Sequence, residues 1–172
     1  PVAVNFLRMH PEASVVIPRA SSISEADLMG YVAQYGLSAY RDRVRITHTT
    51  AAMYEAFAQS MCALSKPGTV SLELAALGVP TVVAYKTSFI TYTIAKWLVA
   101  IRQMALPNLL LGKTVFEECL QEQCCVEVLT KKIDALYKEC ITKDSAFISK
   151  QAMLHEVLPM LAGFGKKCEE ST

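Results

Sequence analysis

The sequence predicts an α/β domain built on a parallel sheet with helices on both faces. Three observations lead there. Short apolar or β-branched runs, "ASVVIP", "RVRIT", "MCALS" and "TVVAY", recur through the first half of the chain. Segments of helical period separate them, so the order reads β-α-β-α-β-α-β. Such regular alternation makes the strands parallel, because each parallel pairing needs a crossover that carries a helix. Finally, 172 residues with 52% hydrophobic and 19% charged content suffice for one ordinary domain with a proper core.

The elements follow in order. "ASVVIP" (Ala13 to Pro18) lies between Pro11 and Pro18 and reads as a buried strand. "SEADLMGYVAQYGL" (Ser24 to Leu37) opens on an N-cap serine and closes at Gly36, so it reads as a helix. "RVRIT" (Arg43 to Thr47) is a strand, "AAMYEAFAQS" (Ala51 to Ser60) a helix and "MCALS" (Met61 to Ser65) a short strand. A helix from Thr69 to Leu77 and a strand from Thr81 to Tyr85 complete the alternation. Beyond Lys86 the pattern is helical: Phe89 to Arg102, Thr114 to Glu122, Val126 to Cys140 and Ser145 to Leu161.

Composition removes several classes. Net charge is +1 with acids and bases interspersed, and no basic run is interleaved with aromatics, so nucleic acid is not an expected partner. The cysteines are Cys62, Cys119, Cys124, Cys125, Cys140 and Cys168. They form no C-x-x-C pair, and the three histidines stand singly, so no zinc site is expected. They read as reduced, packed residues of a cytoplasmic protein. The chain begins at Pro1 and shows no basic-then-apolar leader, so it is expected to be part of a longer protein.

The chemistry concentrates in "SKPGTVSLELAALGVPTVVAYK", Ser65 to Lys86. In doubly wound sheets, ligands sit off the carboxyl ends of the strands. The strand ending at Ser65 delivers the chain there, and Gly68 permits a tight turn close to a ligand. The helix starting at Thr69 offers free amides and a positive dipole end, which favour an anionic group such as a phosphate. Glu73 shares a helix face with Thr69. A carboxylate there can reach past phosphates and accept from both ribose hydroxyls. Equally, it can be a solvated residue that favours the helix dipole, since a Gly-x-x-x-x-Glu string is common. Lys86, at the end of its strand, is either a holder of phosphate charge or a surface lysine.

The runs "PGTVSLELAALGVPTVVAYKTSFITYTIAKWL" and "LPNLLLGKTVFEECLQ" closely resemble the lipid-A-disaccharide synthase family. That family shares a Ser-Gly-Thr-Ala-x-x-Glu run, a Gly-x-Pro-x-Val-Val-x-Tyr-[Lys/Arg] run and a Leu-Pro-Asn-[Leu/Ile]-Leu-x-Gly run. The first would fit many GT-B glycosyltransferases; the third, here Leu106 to Gly112, is far more specific. The resemblance extends from about Phe6 to Leu136 and is densest from Gly68 to Gln121.

The resemblance implies the carboxyl-terminal half of a GT-B fold: a Rossmann-like parallel sheet flanked by helices, truncated at its amino end. Residues 1–110 would be a partial nucleotide-binding domain. Residues 111–172 would be a helical segment packing on it or crossing to an absent amino-terminal domain. It implies transfer of 2,3-diacylglucosamine from UDP to 2,3-diacylglucosamine 1-phosphate, without metal or cofactor. The partners would be UDP-2,3-diacylglucosamine, the acceptor, the cytoplasmic surface of the inner membrane and the missing amino-terminal domain. By position, Gly68 and Thr69 would face the diphosphate and Glu73 the ribose. Tyr85, Lys86 and Asn108 would line the cleft, and His48 would stand where related enzymes hold the uracil. No catalytic residue is assigned within this stretch.

The sequence also departs from the family. Lys66-Pro67 replaces the usual Ala-Ser, so a small hydroxyl is lost and a cation gained, which makes Lys66 a second candidate for phosphate charge. A Gly-Ser-Arg loop and the general base are not in this stretch, so the chain alone is expected to be inactive. The final helices, Val126 to Leu161, are expected to have detached contacts. The apolar segment Phe89 to Pro107, with Lys96, Trp97 and Arg102, reads as a core helix, a docking helix or one that dips into the membrane interface. Asn108 either hydrogen-bonds the donor nucleotide or the phosphate loop, or is a turn or N-cap residue before "LLLGK". Two other readings stay open: a non-catalytic nucleotide-binding module, and another UDP-sugar enzyme of GT-B fold.

Overall fold

Helix α1 (Val2–Met9), strand β1 (Val15–Pro18), α2 (Glu25–Gln34), β2 (Val44–Thr47) and α3 (Thr50–Gln59) make a first unit, residues Pro1–Ser60, in a computed structural model that describes residues 1–86 and 103–161. β1 and β2 pair in parallel, from Val15 opposite Val44 to Pro18 opposite Thr47. Alternate residues of a strand share a face. Val15 and Ile17 with Val44 and Ile46 therefore form one apolar surface, packed around Leu7, Val32 and Leu37. The helices start where the local chemistry dictates: Ser24 Oγ accepts from the Asp27 amide at 3.1 Å, and Thr49 Oγ1 from Ala52 at 3.2 Å. Arg43 ties α1 down. Its Nη1 donates to the carbonyls of His10, Pro11 and Ala13, and its Nη2 to Leu7, so one guanidinium satisfies acceptors at and beyond the helix end.

The second unit starts at Met61. It holds β3 (Ala63–Ser65), α4 (Thr69–Ala76), β4 (Thr81–Tyr85), α5 (Leu106–Leu111), β5 (Glu117–Leu120), α6 (Val126–Thr142) and α7 (Ser145–Leu154). Its sheet has the order β3-β4-β5, all parallel, with Ser65 opposite Val83 and Tyr85 opposite Leu120. Val83 is fully buried in a cluster with Ala75 of α4, Leu111 of α5, Phe116, Leu154 and Val157. Its neighbour Val82 points to the other face and borders a small cavity with Ala135 and Leu136 of α6.

The α/β class and parallel pairing agree with the sequence reading, and all four expected strands are present, hydrogen-bonded as two sheets. Three expectations are corrected. Residues 114–122 are not a helix, because Glu117–Leu120 extends as β5 against β4. Asn108, read as a turn or N-cap residue if not a ligand contact, lies inside a short helix, Leu106–Leu111, with Pro107 in its first turn and Gly112 closing it in the left-handed conformation. The final helices are not detached: Leu154 and Val157 are 1% and 0% exposed, although α7 ends at Leu154 and the chain is helical again only from 157 to 161. The segment Phe89 to Arg102 and Cys168 lie outside the described residues. The described cysteines are unpaired thiols. Burial, reinforced by the Glu117 carboxylate, pushes the Cys119 thiol above its ordinary value.

Candidate functional site

Because β3, β4 and β5 are parallel, Ser65, Tyr85 and Leu120 end at one edge of the second sheet. A cavity of about 390 Å³ opens there, lined by Leu64, Ser65, Lys66, Ala84, Tyr85, Lys86 and Cys124. That volume lies within the usual range for small-molecule sites. Lys66 and Lys86 are both exposed and neither has an acidic partner among the described residues. Two uncompensated ammonium groups thus share a concave site with the phenol ring of Tyr85.

The chain leaves this edge at Ser65 and turns into α4. Gly68 is the N-cap, at φ 143° and ψ −169°, a region that only glycine occupies without strain. No side chain caps the helix. Ser71, fully buried, turns its hydroxyl back to donate to the Gly68 carbonyl at 2.6 Å. The Ser71 amide donates to the same carbonyl at 3.1 Å, so the first-turn amides without an intrahelical acceptor are those of Thr69 and Val70, both exposed residues. One turn further on, Glu73 is half-buried, and its Oε2 is shielded from solvent with no hydrogen-bond partner. A buried carboxylate oxygen without a donor is costly, and a ligand hydroxyl would relieve it.

Asn108 does not line this cavity. It is 0% exposed, and all four of its hydrogen-bonding positions are used internally. Its Nδ2 donates to the Phe116 carbonyl and to Glu118 Oε1, each at 2.8 Å, and its Oδ1 accepts from Val115 and Phe116, each at 2.9 Å. The expectation of a ligand-facing Asn108 fails because the turn into β5 consumes its whole capacity. His48 stands exposed after β2 in the first unit, where Arg19 Nε donates to its Nδ1 at 3.4 Å. Of the sequence candidates, Lys66, Tyr85 and Lys86 come together in the cavity, while Gly68, Thr69 and Glu73 follow on the adjoining turn and helix.

Two features went unseen in the sequence. Arg19 follows β1 as His48 follows β2, and the equal offset from paired strands could have matched them. Cys124 reaches the cavity only because Glu117–Leu120 is a strand, which the helical reading of 114–122 concealed.

A profile of the lipid-A-disaccharide synthetase family matches residues 9–161. The chain belongs to the lipid-A-disaccharide synthase family. It is 34% identical over 143 residues to the lipid-A-disaccharide synthase of Ruegeria pomeroyi, covering 82% of this chain and 36% of that protein. It is 30% identical over 134 residues to that of Syntrophotalea carbinolica, covering 78% and 32%. With the enzyme of Gluconobacter oxydans identity is 39% over 100 residues, covering 58% and 23%. The alignments thus span 36% or less of each of these synthases. Among the described residues no helix is long and apolar enough to cross a membrane.

Proposed function

We propose that this chain is the donor-nucleotide part of a glycosyltransferase that moves 2,3-diacylglucosamine from UDP to 2,3-diacylglucosamine 1-phosphate, yielding the β-1,6-linked disaccharide and UDP. The observation that carries this reading is the cavity at the carboxyl edge of the β3-β4-β5 sheet, where Lys86, without an acidic partner among the described residues, stands beside Tyr85. The chemistry needs such a place. As the acceptor hydroxyl attacks the anomeric carbon, the bond from that carbon to the UDP oxygen breaks and negative charge builds on the leaving diphosphate. An ammonium group at the strand edge and the Thr69 and Val70 amides at the helix start stabilise that charge.

In this reading the Gly68 turn and Thr69 hold the diphosphate, and Glu73 accepts from the ribose hydroxyls, which supplies the donor its buried Oε2 lacks. His48 is the expected contact to the base. The acceptor hydroxyl's proton passes to a general base outside this stretch, in an amino-terminal domain of the longer protein. The enzyme works on the cytoplasmic surface of the inner membrane, where its acylated substrates reside. Alone, this chain has no transferase activity.

Calorimetric titration with UDP tests the reading. The chain is expected to bind UDP weakly, and Glu73→Gln to weaken binding by about 1–3 kcal/mol, the worth of a charge-assisted hydrogen bond. Equal affinities would return Glu73 to a structural role, and absence of UDP binding would overturn the assignment.

A further inference from the structure

Lys66 stands where the resembled family run carries a small residue, and it lies at the cavity. It is the first residue after β3, lines the same cavity as Lys86, and has no acidic partner among the described residues. Its backbone is held on both sides. Pro67 restricts the preceding residue to extended geometry, and Ser65 Oγ donates to the Lys66 carbonyl at 3.1 Å. The side chain therefore leaves the strand end from a fixed base.

The sheet register sets the spacing. Ser65 is opposite Val83, so Lys66 is level with Ala84 and Lys86 lies two residues beyond on the neighbouring strand. With strands about 4.8 Å apart and about 3.3 Å of rise per residue, the two backbone positions are roughly 8 Å apart. Two flexible lysine side chains from positions this close converge on one anion or on two linked ones. A terminal monophosphate carries about −1.5 to −2 charge on one group, so both ammonium groups must crowd onto it to share it. A diphosphate carries further charge on a second, linked group and presents one phosphoryl group to each.

We propose that Lys66 is a specificity-determining residue that, together with Lys86, makes this cavity select a nucleoside diphosphate over a nucleoside monophosphate. The inference rests on the nucleotide reading above and adds a residue the family pattern does not supply. A lysine acts here as a point charge on a flexible stem, so position governs its effect more than angle. An arginine in its place retains the charge and most of the effect.

The test is titration of the 172-residue chain with UDP, UMP and uridine at low salt, for the unsubstituted protein, Lys66→Ala and Lys66→Arg. Thermal melts check that the variants fold. Lys66→Ala is expected to lose about tenfold in UDP affinity, the loss of one charge-assisted contact. UMP affinity should fall by a clearly smaller factor than UDP affinity, and uridine affinity not at all, while Lys66→Arg restores most of the UDP affinity. The dependence of UDP binding on salt should also become shallower in Lys66→Ala. UDP affinity unchanged in Lys66→Ala would overturn the inference while leaving the nucleotide reading intact. Equal losses for UDP and UMP would overturn the diphosphate selectivity. Failure of the unsubstituted chain to bind UDP would overturn the nucleotide reading itself, and the inference with it.

Discussion

Asn108 Nδ2 donates to Glu118 Oε1 at 2.8 Å, and the same carboxylate accepts the backbone amides of Met104 at 2.7 Å and Ala105 at 3.1 Å. Glu118 on β5 thereby anchors the chain entering α5, and Asn108 on α5 anchors the chain entering β5. The pair closes a reciprocal clamp around residues 104–118. Asn108→Ala removes four buried hydrogen bonds and strands their partners, so it should destabilise by about 3 kcal/mol or more. Asn108→Asp keeps the shape, loses both donors and sets a carboxylate against Glu118. Urea unfolding measures both. UDP affinity of the folded fraction should not change; a specific loss of UDP affinity at full stability would restore a ligand role for Asn108.

Gly68 offers a second measurement. A Cβ added there meets no atom within 4 Å, so the cost of Gly68→Ala is backbone strain alone. At φ 143° that cost is on the order of 1–3 kcal/mol. The chain can instead relax the turn, which moves the first amides of α4. Stability or UDP affinity must therefore fall, and a variant with both unchanged would show that the turn has another conformation open to it.

Alkaline pH should weaken the fold through Cys119. Burial, then the Glu117 carboxylate, raises its pKa above the ordinary thiol value. A raised folded-state pKa gives stability that is complete below the unfolded thiol's value, about 8.5, and is lost as pH climbs toward the folded one. The urea midpoint should decline above pH 8.5, and Cys119→Ala should flatten that decline while lowering the midpoint at pH 7. Parallel curves for the two proteins would exclude Cys119 as a source.

Open sheet edges predict association. Among the described residues, β3 and β5 each pair only with β4, and β1 and β2 pair only with each other, so both sheets have open edges. Such edges pair with other chains unless covered. Sedimentation of the purified chain should show concentration-dependent self-association. A monomer at all concentrations would mean that these edges are protected.

Much of this was legible in the sequence, and particular residues show why. Thr81–Tyr85 is a run of three β-branched residues, an alanine and an aromatic between Pro80 and Lys86, and β4 has those same bounds. Ser24 announced its helix because a capping hydroxyl acts locally, and Thr49 caps α3 in the same way although the reading of Ala51 to Ser60 did not use it. "FEECL" misled because two adjacent glutamates break strand alternation. Glu118 belongs there because Asn108 and two backbone amides satisfy it, a partnership eight or more residues away that no local pattern shows. Asn108 misled for the same reason: the family run marked it as important, and only the packed turn reveals that its importance is structural. The cavity was half legible. Lys66, Tyr85 and Lys86 follow from strand ends, but Cys124 required knowing that β5 exists.

The central claim is that the carboxyl edge of the β3-β4-β5 sheet holds the diphosphate of a uridine nucleotide. Amide chemical shifts of the isotopically labelled chain, followed during UDP titration, test it most directly because they read weak binding residue by residue. The account predicts saturable shifts concentrated at Ser65 to Val70 and at Tyr85 and Lys86, with Asn108 and Glu118 unmoved. Saturable shifts elsewhere, with the Gly68 turn and Lys86 silent, would contradict it.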